Sequence, residues 1–339
     1  MMKPVYASLR RTGHSITGFL DDMLIVADSD SALADSVQWV LEMLQTLGFV
    51  INFEKSALQP TTKICYLGFE IESKSMVVTL PDEKKKEKIV LQAKSLLQKS
   101  EDTIRNVAEV IGSLVACFPA VQTGPLHYRN LEKEKDDALR QQNGNFDAHM
   151  AVSATMKQEL QWWIGNVYSQ RKVIVAANPE VIITSDASLE GRGCSCLNEK
   201  TGGRWNEKEK QWHINYLELL GAFHALQSFQ DKLVDKHVQL LLDNTTAVAY
   251  VNHMGGKQPS LNDLTLWSWC LAKIIWLSAA HIPGVNNVDA DFESRHFNDR
   301  CEWSLDNRVF HNLTQIFGPM DIDLFASRLN AKCQRYVAW

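Results

Sequence analysis

What the sequence lacks first is an excess of positive charge. Lys and Arg total 35 against 40 Asp and Glu, for a net charge of −5. A strongly basic nucleic-acid-binding tail is thereby excluded, and on charge alone a nucleic-acid partner is disfavoured. No apolar run approaches the ~20 residues of a membrane span. The opening MMKPVYASLRRTGHS lacks the apolar core of a signal peptide, so the expected location is cytoplasmic or nuclear, without a membrane partner. The seven cysteines are odd in number and scattered; only Cys194 and Cys196 are close, and no pair has zinc-finger spacing. A disulfide framework is excluded, leaving reduced, mostly buried thiols. There is no internal repeat. At 45% hydrophobic and 22% charged residues, wholesale disorder is excluded as well. A chain of 339 residues, at ~150 per domain, has material for two or so domains.

What is present falls into stretches of different pattern. ITGFLDDMLIVAD (16–28) flanks an acidic pair with apolar residues, as a strand–turn–strand does. Leu33, Val37, Val40, Leu41, Leu44 and Leu47 follow at helical spacing and stop at Gly48. FVINFEKSAL and ICYLGFEIES read as short strands. Pro81 opens a charged helix through Gln98, and a second helix begins near Asp102, a candidate N-cap. No Gly-rich or Pro-rich linker precedes these helices. QQNGNFD (141–147) is loop-like, and a helix with Trp162 and Trp163 follows. From 171 the pattern changes: VIVAANPEVIITSDAS reads as strand material, GRGCSC and TGGRW as a hairpin-rich sheet, and INYLELLGAFHALQSF as a helix. HVQLLLDN reads as a buried strand before helical TTAVAYVNHM. SLNDLTLWSWCLAKIIW is another helix, and HIPGVNNVDADFESR runs from loop into helix. Such alternation implies a mixed sheet covered by helices.

Four acids stand out in this second half. Asp186 and Asp243 each end an apolar strand, Glu218 lies in the most apolar helix, and Asp291 opens a helix after a Pro-Gly loop. Taken singly, each has an ordinary reading: a cap or turn former, a surface residue, a helix-start acid. Together at strand ends they would repel one another unless a cation neutralised them, and oxygen ligands suit magnesium. Two ions ~3.5–4 Å apart would activate water and stabilise the leaving oxygen of a phosphodiester.

The ordered set TSDAS, NYLELLGAFHAL, LLLDNTTAVAYVN and HIPGVNNVDADFESR resembles the ribonuclease H domain of reverse transcriptases, over roughly residues 171–297. The resemblance implies a mixed five-stranded sheet with helices on both faces. It implies Asp186, Glu218, Asp243 and Asp291 as ligands of two magnesium ions, with manganese as a possible substitute. It makes His281 of H-x-P-G-x-x-N an aid to proton transfer or product departure. One departure matters: residues 171–297 hold 12 basic and 14 acidic residues, with no basic helix of the kind cellular ribonucleases H use to grip hybrid.

Phe19-Leu20-Asp21-Asp22 followed by MLIVAD resembles the Tyr-x-Asp-Asp hairpin of the reverse transcriptase palm, and LGFVINFEKSAL and CYLGFEI match the next two palm motifs. The family's pattern implies Asp21 and Asp22 as metal ligands and Lys55 near the departing pyrophosphate; a solvated loop lysine is the plain alternative. Residues 1–20 contain no Asp or Glu, so the expectation is that the further palm carboxylate and the fingers are not supplied by this sequence. The expectation is a chain that does not polymerise DNA alone.

TLPDEKKKEK and TIRNVAEVIGSLVACFPAVQTGPLHYRNLE resemble the thumb and connection of DIRS-like, tyrosine-recombinase retroelements, and E-W-x-L with D-L-F-A-S-R-x-N in the tail fit the same group. The charge run at 82–88 reads as a solvated helix face, or as a contact to template–primer backbone. The expected organisation is a partial palm (1–80), a helical thumb/connection (81–170), a ribonuclease H-like domain (171–297) and a C-terminal extension (298–339), with an α+β fold class. The expected chemistry is cleavage of RNA in RNA–DNA hybrid, with hybrid or template–primer duplex as partner; an N-terminal reverse transcriptase portion is the further partner that the resemblance implies. The rival is a silent nucleic-acid-binding or scaffold remnant. A cellular ribonuclease H with an unrelated N-terminal domain is disfavoured by FLDD and the motifs after it. Counting out the six assigned acids moves the charge balance from −5 to +1, so the acidity is weak evidence against a nucleic-acid partner.

Overall fold

A computed structural model describes residues 2–81, 83–174, 178–256, 258–262, 266–297, 305–324, 326 and 330–337. The chain divides into two compact units, Met1–Ala176 and Ala177–Trp339.

The first unit begins with α1 (Lys3–Arg11), the hairpin β1 (Ser15–Phe19) and β2 (Asp22–Val26), and α2 (Asp30–Thr46). Tyr6, Leu9, Ile16, Val40 and Leu44 form their small core. Ser29 caps α2 by accepting from the Ala32 amide, and Gly48, at φ +80°, follows its end as the spacing predicts. FVINFEKSAL is not a strand. Asn52 turns the backbone on itself instead: its side chain accepts from the Lys55 amide, and its carbonyl accepts from Ser56 Oγ at 2.7 Å. ICYLGFEIES does form the expected strands, β3 (Lys63–Tyr66) and β4 (Phe69–Glu72), joined by Leu67 and Gly68, both at positive φ as a tight hairpin requires.

β5 (Val77–Thr79) extends that sheet. There follow α3 (Glu83–Leu97), β6 (Glu101–Thr103), α4 (Ile104–Val115), α5 (Arg129–Gln141), β7 (His149–Ala151), α6 (Ala154–Asn166) and β8 (Lys172–Val173). A core running from Leu80 through Ile104, Leu131, Leu160 and Trp163 to Val167 unites the helices. Asp102 is not the N-cap of α4. Thr103 is, its hydroxyl accepting from the Asn106 amide. Asp102 sits one residue earlier with Lys99 at 2.8 Å; burial opposes its charge, but bonds from Lys99, Asn106 and Thr103 outweigh burial and lower its pKa. The buried Glu159 accepts from the Asn130 and Leu131 amides at the start of α5. In the charge run, Lys85 donates to the Gly68 carbonyl and lies over the Phe69 ring, so that lysine is packing rather than free. Asp82 lies outside the described residues.

VIVAANPEVIITSDAS is not one strand. Lys172–Val173 pairs with Val77–Val78 in the first unit, whereas the second unit starts its sheet at β9 (Val181–Ala187), beyond Pro179. There follow β10 (Gly191–Cys196), β11 (Glu199–Arg204), α7 (Ile214–Ser228), α8 (Gln230–Leu233), β12 (His237–Leu242), α9 (Thr245–Asn252), α10 (Pro259–Asn262), α11 (Leu266–Ala272), β13 (Trp276–His281) and α12 (Val288–Arg295). The five strands lie in the order β11-β10-β9-β12-β13, antiparallel on the hairpin side of β9 and parallel beyond it. The fold class is thus mixed α+β, as expected.

β12 is buried on one face only: Val238, Leu240 and Leu242 point inward, and the residues between them are half-buried. The stretch 260–276 is not a single helix. α11 stops at Ala272, Ile274 adopts φ +58°, and Trp276 enters β13. After α12 come α13 (Asn307–Phe317), β14 (Ile322–Asp323) and β15 (Arg335–Tyr336). Of the tail motifs, Glu302, Trp303, Phe325 and residues 327–329 lie outside the described residues, as does Cys301.

Helices cover both faces of this sheet. Gly221 of α7 lies over Ser185 and Ala187, whereas α12 lies over Gly193, whose partner across the ladder is Asp186. A Cβ at Gly193 would overlap the Ala290 carbonyl and the Ser294 amide, and one at Gly202 would overlap the Glu293 carbonyl. Gly193 and Gly202 therefore let α12 rest on bare backbone. Gly193→Ala is expected to cost about 3 kcal/mol, read as a lower urea midpoint with an unchanged slope.

Candidate metal centre

The parallel register that pairs Leu242 with Ser185 brings Asp243 level with Asp186. Asp186 is not the strand's last residue, since Ala187 still belongs to β9. Glu218 comes from the fifth position of α7, held there because Leu217 and Leu220 pack against Ala187 and Trp205. His213 caps that helix by accepting from the Asn215 amide. Asn244 caps α9 directly after Asp243 and also donates to Asn215 Oδ1 at 3.0 Å, tying the start of α9 to α7.

Ligand atoms of Asp186, Glu218 and Asp243 all lie within 4.8 Å of one another, the one such trio among the described residues. Asp186 is 4% exposed and Glu218 5%. Burial, reinforced by the charges of Asp186 and Asp243, pushes Glu218 up to about 9, against a small opposing pull from the Ala187 amide. Burial also raises Asp186, with Asp243 and Asp291 adding to the effect while the Ser294 bond and Arg295 oppose it. Glu218 Oε2 is buried without a hydrogen-bond partner. A close set of hard oxygen donors, one of them unpaired, is chemically matched to a divalent cation such as magnesium or manganese.

Asp291 does not join the trio. It is the fourth residue of α12 rather than the first, and its Oδ1 accepts from Arg295 Nε at 2.8 Å. His281 is the last residue of β13, exposed, and opposite Leu242, which precedes Asp243. The loop after it folds back over the trio: the Ile282 amide donates to the Leu242 carbonyl, and Gly284 passes so close that an added Cβ would touch Asp243 Oδ2 at 3.1 Å.

Sequence reasoning assigned no role to three neighbours. Asn287, 2% exposed, donates from Nδ2 to the Ser185 carbonyl and pins this loop beside Asp186. Ser294, fully buried, donates to Asp186 Oδ2 at 2.7 Å. Arg295 is Asp291's partner. The i+3 and i+4 spacing of Ser294 and Arg295 from Asp291 was the available signal.

The other predicted acids lie in the first unit. Asp21 occupies the exposed turn between β1 and β2, beside Leu20 at φ +55°, and Asp22 starts β2, also exposed. Lys55 is exposed in the Asn52 turn. Among the described residues, no third metal-ligating side chain joins Asp21 and Asp22 in a cluster.

Residues 1–71 match the family model "Reverse transcriptase (RNA-dependent DNA polymerase)". The enzymatic polyprotein of cauliflower mosaic virus (strain Strasbourg) is 22% identical over 301 residues, covering 83% of this chain and 40% of that protein; the strain D/H protein is equally similar. The chain thus spans about 40% of the length of the curated relatives it matches. Among solved structures, a foamy viral protease-reverse transcriptase in complex with RNA/DNA hybrid is 14% identical, covering 82% of this chain and 37% of that one, with a TM-score of 0.43. LC11-RNase H1 in complex with RNA/DNA hybrid is 22% identical, covering 34% of this chain and 93% of its own, with a TM-score of 0.30.

Proposed function

We propose that the second unit hydrolyses the RNA strand of RNA–DNA hybrids with two divalent cations, magnesium foremost, leaving a 3′-hydroxyl and a 5′-phosphate. The observation that carries this reading is the buried trio Asp186, Glu218 and Asp243 with an unpartnered oxygen on Glu218. A purely structural cluster would be expected to pair or expose that oxygen. Asp186, Glu218 and Asp243, joined by Asp291, would hold the cations. Bound cations would supply activation of water and stabilisation of the leaving oxygen.

The chain's own residues have separate tasks. Ser294 keeps Asp186 Oδ2 turned toward α12. Asn287 fixes the loop that follows His281, and His281, exposed at the strand end, would move a proton to or from the departing strand. Glu218 would lose its proton only as a cation arrives, because burial disfavours its charge otherwise.

The likeness of residues 1–71 to the reverse transcriptase model supports reading the chain as part of a retroelement polymerase, and E-W-x-L with D-L-F-A-S-R-x-N favours a DIRS-like origin. Asp21, Asp22 and Lys55 would belong to a separate polymerase-type centre. The test is a pair of assays on the purified chain with magnesium. Labelled RNA in hybrid is expected to be cut internally, and a primed template is expected to stay unextended. Intact RNA in the first assay overturns the nuclease reading.

A further inference from the structure

Helix α12 carries three polar side chains, Asp291, Ser294 and Arg295, at or beside the trio. Ser294 Oγ donates to Asp186 Oδ2, Arg295 Nε donates to Asp291 Oδ1, and Asp291 lies outside the trio that Asp186, Glu218 and Asp243 form. We propose that Arg295 is a built-in counter-ion of the metal centre, neutralising Asp291 when the second cation is absent, so that this cation must displace it to gain Asp291. The proposal rests on the metal reading above and adds an order of loading to it.

An arginine four residues after an aspartate on an exposed helix face is ordinarily a weak surface pair. Two features of this pair set it apart. Asp291 lies within electrostatic reach of Asp186, and the guanidinium feels Asp186 and Asp243 as well as Asp291, so its charge bears on the whole cluster. The Arg295 side chain is also 57% exposed, so it can swing into solvent without disturbing packing. A guanidinium forms a directed bond to a carboxylate but carries only one charge, so a divalent cation gains more from the same oxygen. The preformed trio takes the first cation without rearrangement. The second meets an occupied ligand, and its affinity is lowered by whatever the Arg295–Asp291 pair is worth.

The test is calorimetric titration of the full chain with magnesium chloride alone, without nucleic acid, for wild type, R295Q, R295K and D291N. Wild type is expected to show a tighter and a weaker class of site. In R295Q the weaker class should tighten about two- to five-fold, and by more than the tighter class, whose ligands feel the guanidinium only without a direct bond. R295K, which keeps the charge but loses the planar donor, should fall between, and D291N should lose the weaker class. Circular dichroism melts in EDTA check that each variant is folded. A structural role for Arg295 would lower the melt and leave both affinities unchanged. Two classes with the same constants in R295Q as in wild type overturn the counter-ion proposal alone. No binding by wild type and R295Q alike overturns the metal reading and the proposal together.

Discussion

Asp186→Asn is expected to lower cleavage of hybrid RNA by about 10³-fold, because metal chemistry of this kind supplies several kcal/mol at 1.36 kcal/mol per tenfold of rate. The same substitution should make the cation-free chain more stable. Burial raises the proton affinity of both Asp186 and Glu218, and repulsion adds to it, from Asp243 and Asp291 at Asp186 and from Asp186 and Asp243 at Glu218. Removing one charge relieves that repulsion, while an asparagine oxygen can still accept from Ser294. In EDTA the melting temperature of the second unit's transition should rise by about 2–4 °C for each kcal/mol relieved. Gel assays of end-labelled hybrid and melts in EDTA read the two effects side by side. A variant that cuts as fast as wild type removes Asp186 from the chemistry. One that cuts slowly and melts lower makes its role structural.

The stability of the cation-free chain should also fall steeply as pH rises. Glu218 keeps its proton in the folded state up to about 9, whereas in the unfolded chain it loses it near the ordinary carboxyl value of 4.5. Between those two values the folded state binds the extra proton, so each pH unit costs about 1.4 kcal/mol at the steepest part of the window. The stabilisation is complete below the unfolded pKa and gone above the folded one, and Asp186 shifts in the same direction. Urea midpoints in EDTA at several pH values between 5.5 and 8.5 measure the slope. Glu218→Gln should flatten most of it, and magnesium should flatten it in wild type by favouring the carboxylate form. A slope unchanged in Glu218→Gln would place the titration elsewhere.

The parts of this fold legible in the sequence were those set by local pattern. The FLDD hairpin, α2 with its Gly48 stop, the glycine-rich hairpin and α7 all announce themselves through turn residues or spacing. The acids Asp186, Glu218 and Asp243 could be picked out because each sits in or beside an apolar element where a charge needs a reason. What brings them together is the register of β12 on β9, and spacing along one chain carries no information about register between distant strands.

The misreadings have the same origin. FVINFEKSAL has strand composition, but Asn52 satisfies the backbone locally. The run from 260 to 276 holds no glycine or proline, so no breaker marks where helix yields to strand at Ile274. Asp102 and Thr103 are both good caps, and only burial beside Lys99 decides between them. Ser294 and Arg295 look like ordinary helix residues until α12 is laid against Gly193.

That glycine contact has a consequence in terms of ionic radius. Because α12 rests on the main chain of β10 with no side chain between, the distance from Asp186 to the backbone that carries Asp291 is set by the thickness of two polypeptide chains. No rotamer change can widen that gap. If the centre holds magnesium as proposed, that fixed separation would disfavour the longer bonds of calcium, about 2.3–2.6 Å against 2.0–2.1 Å for magnesium. The glycines of β10 and β11 would then act as a ruler for which cation the site accepts, without touching any ion themselves.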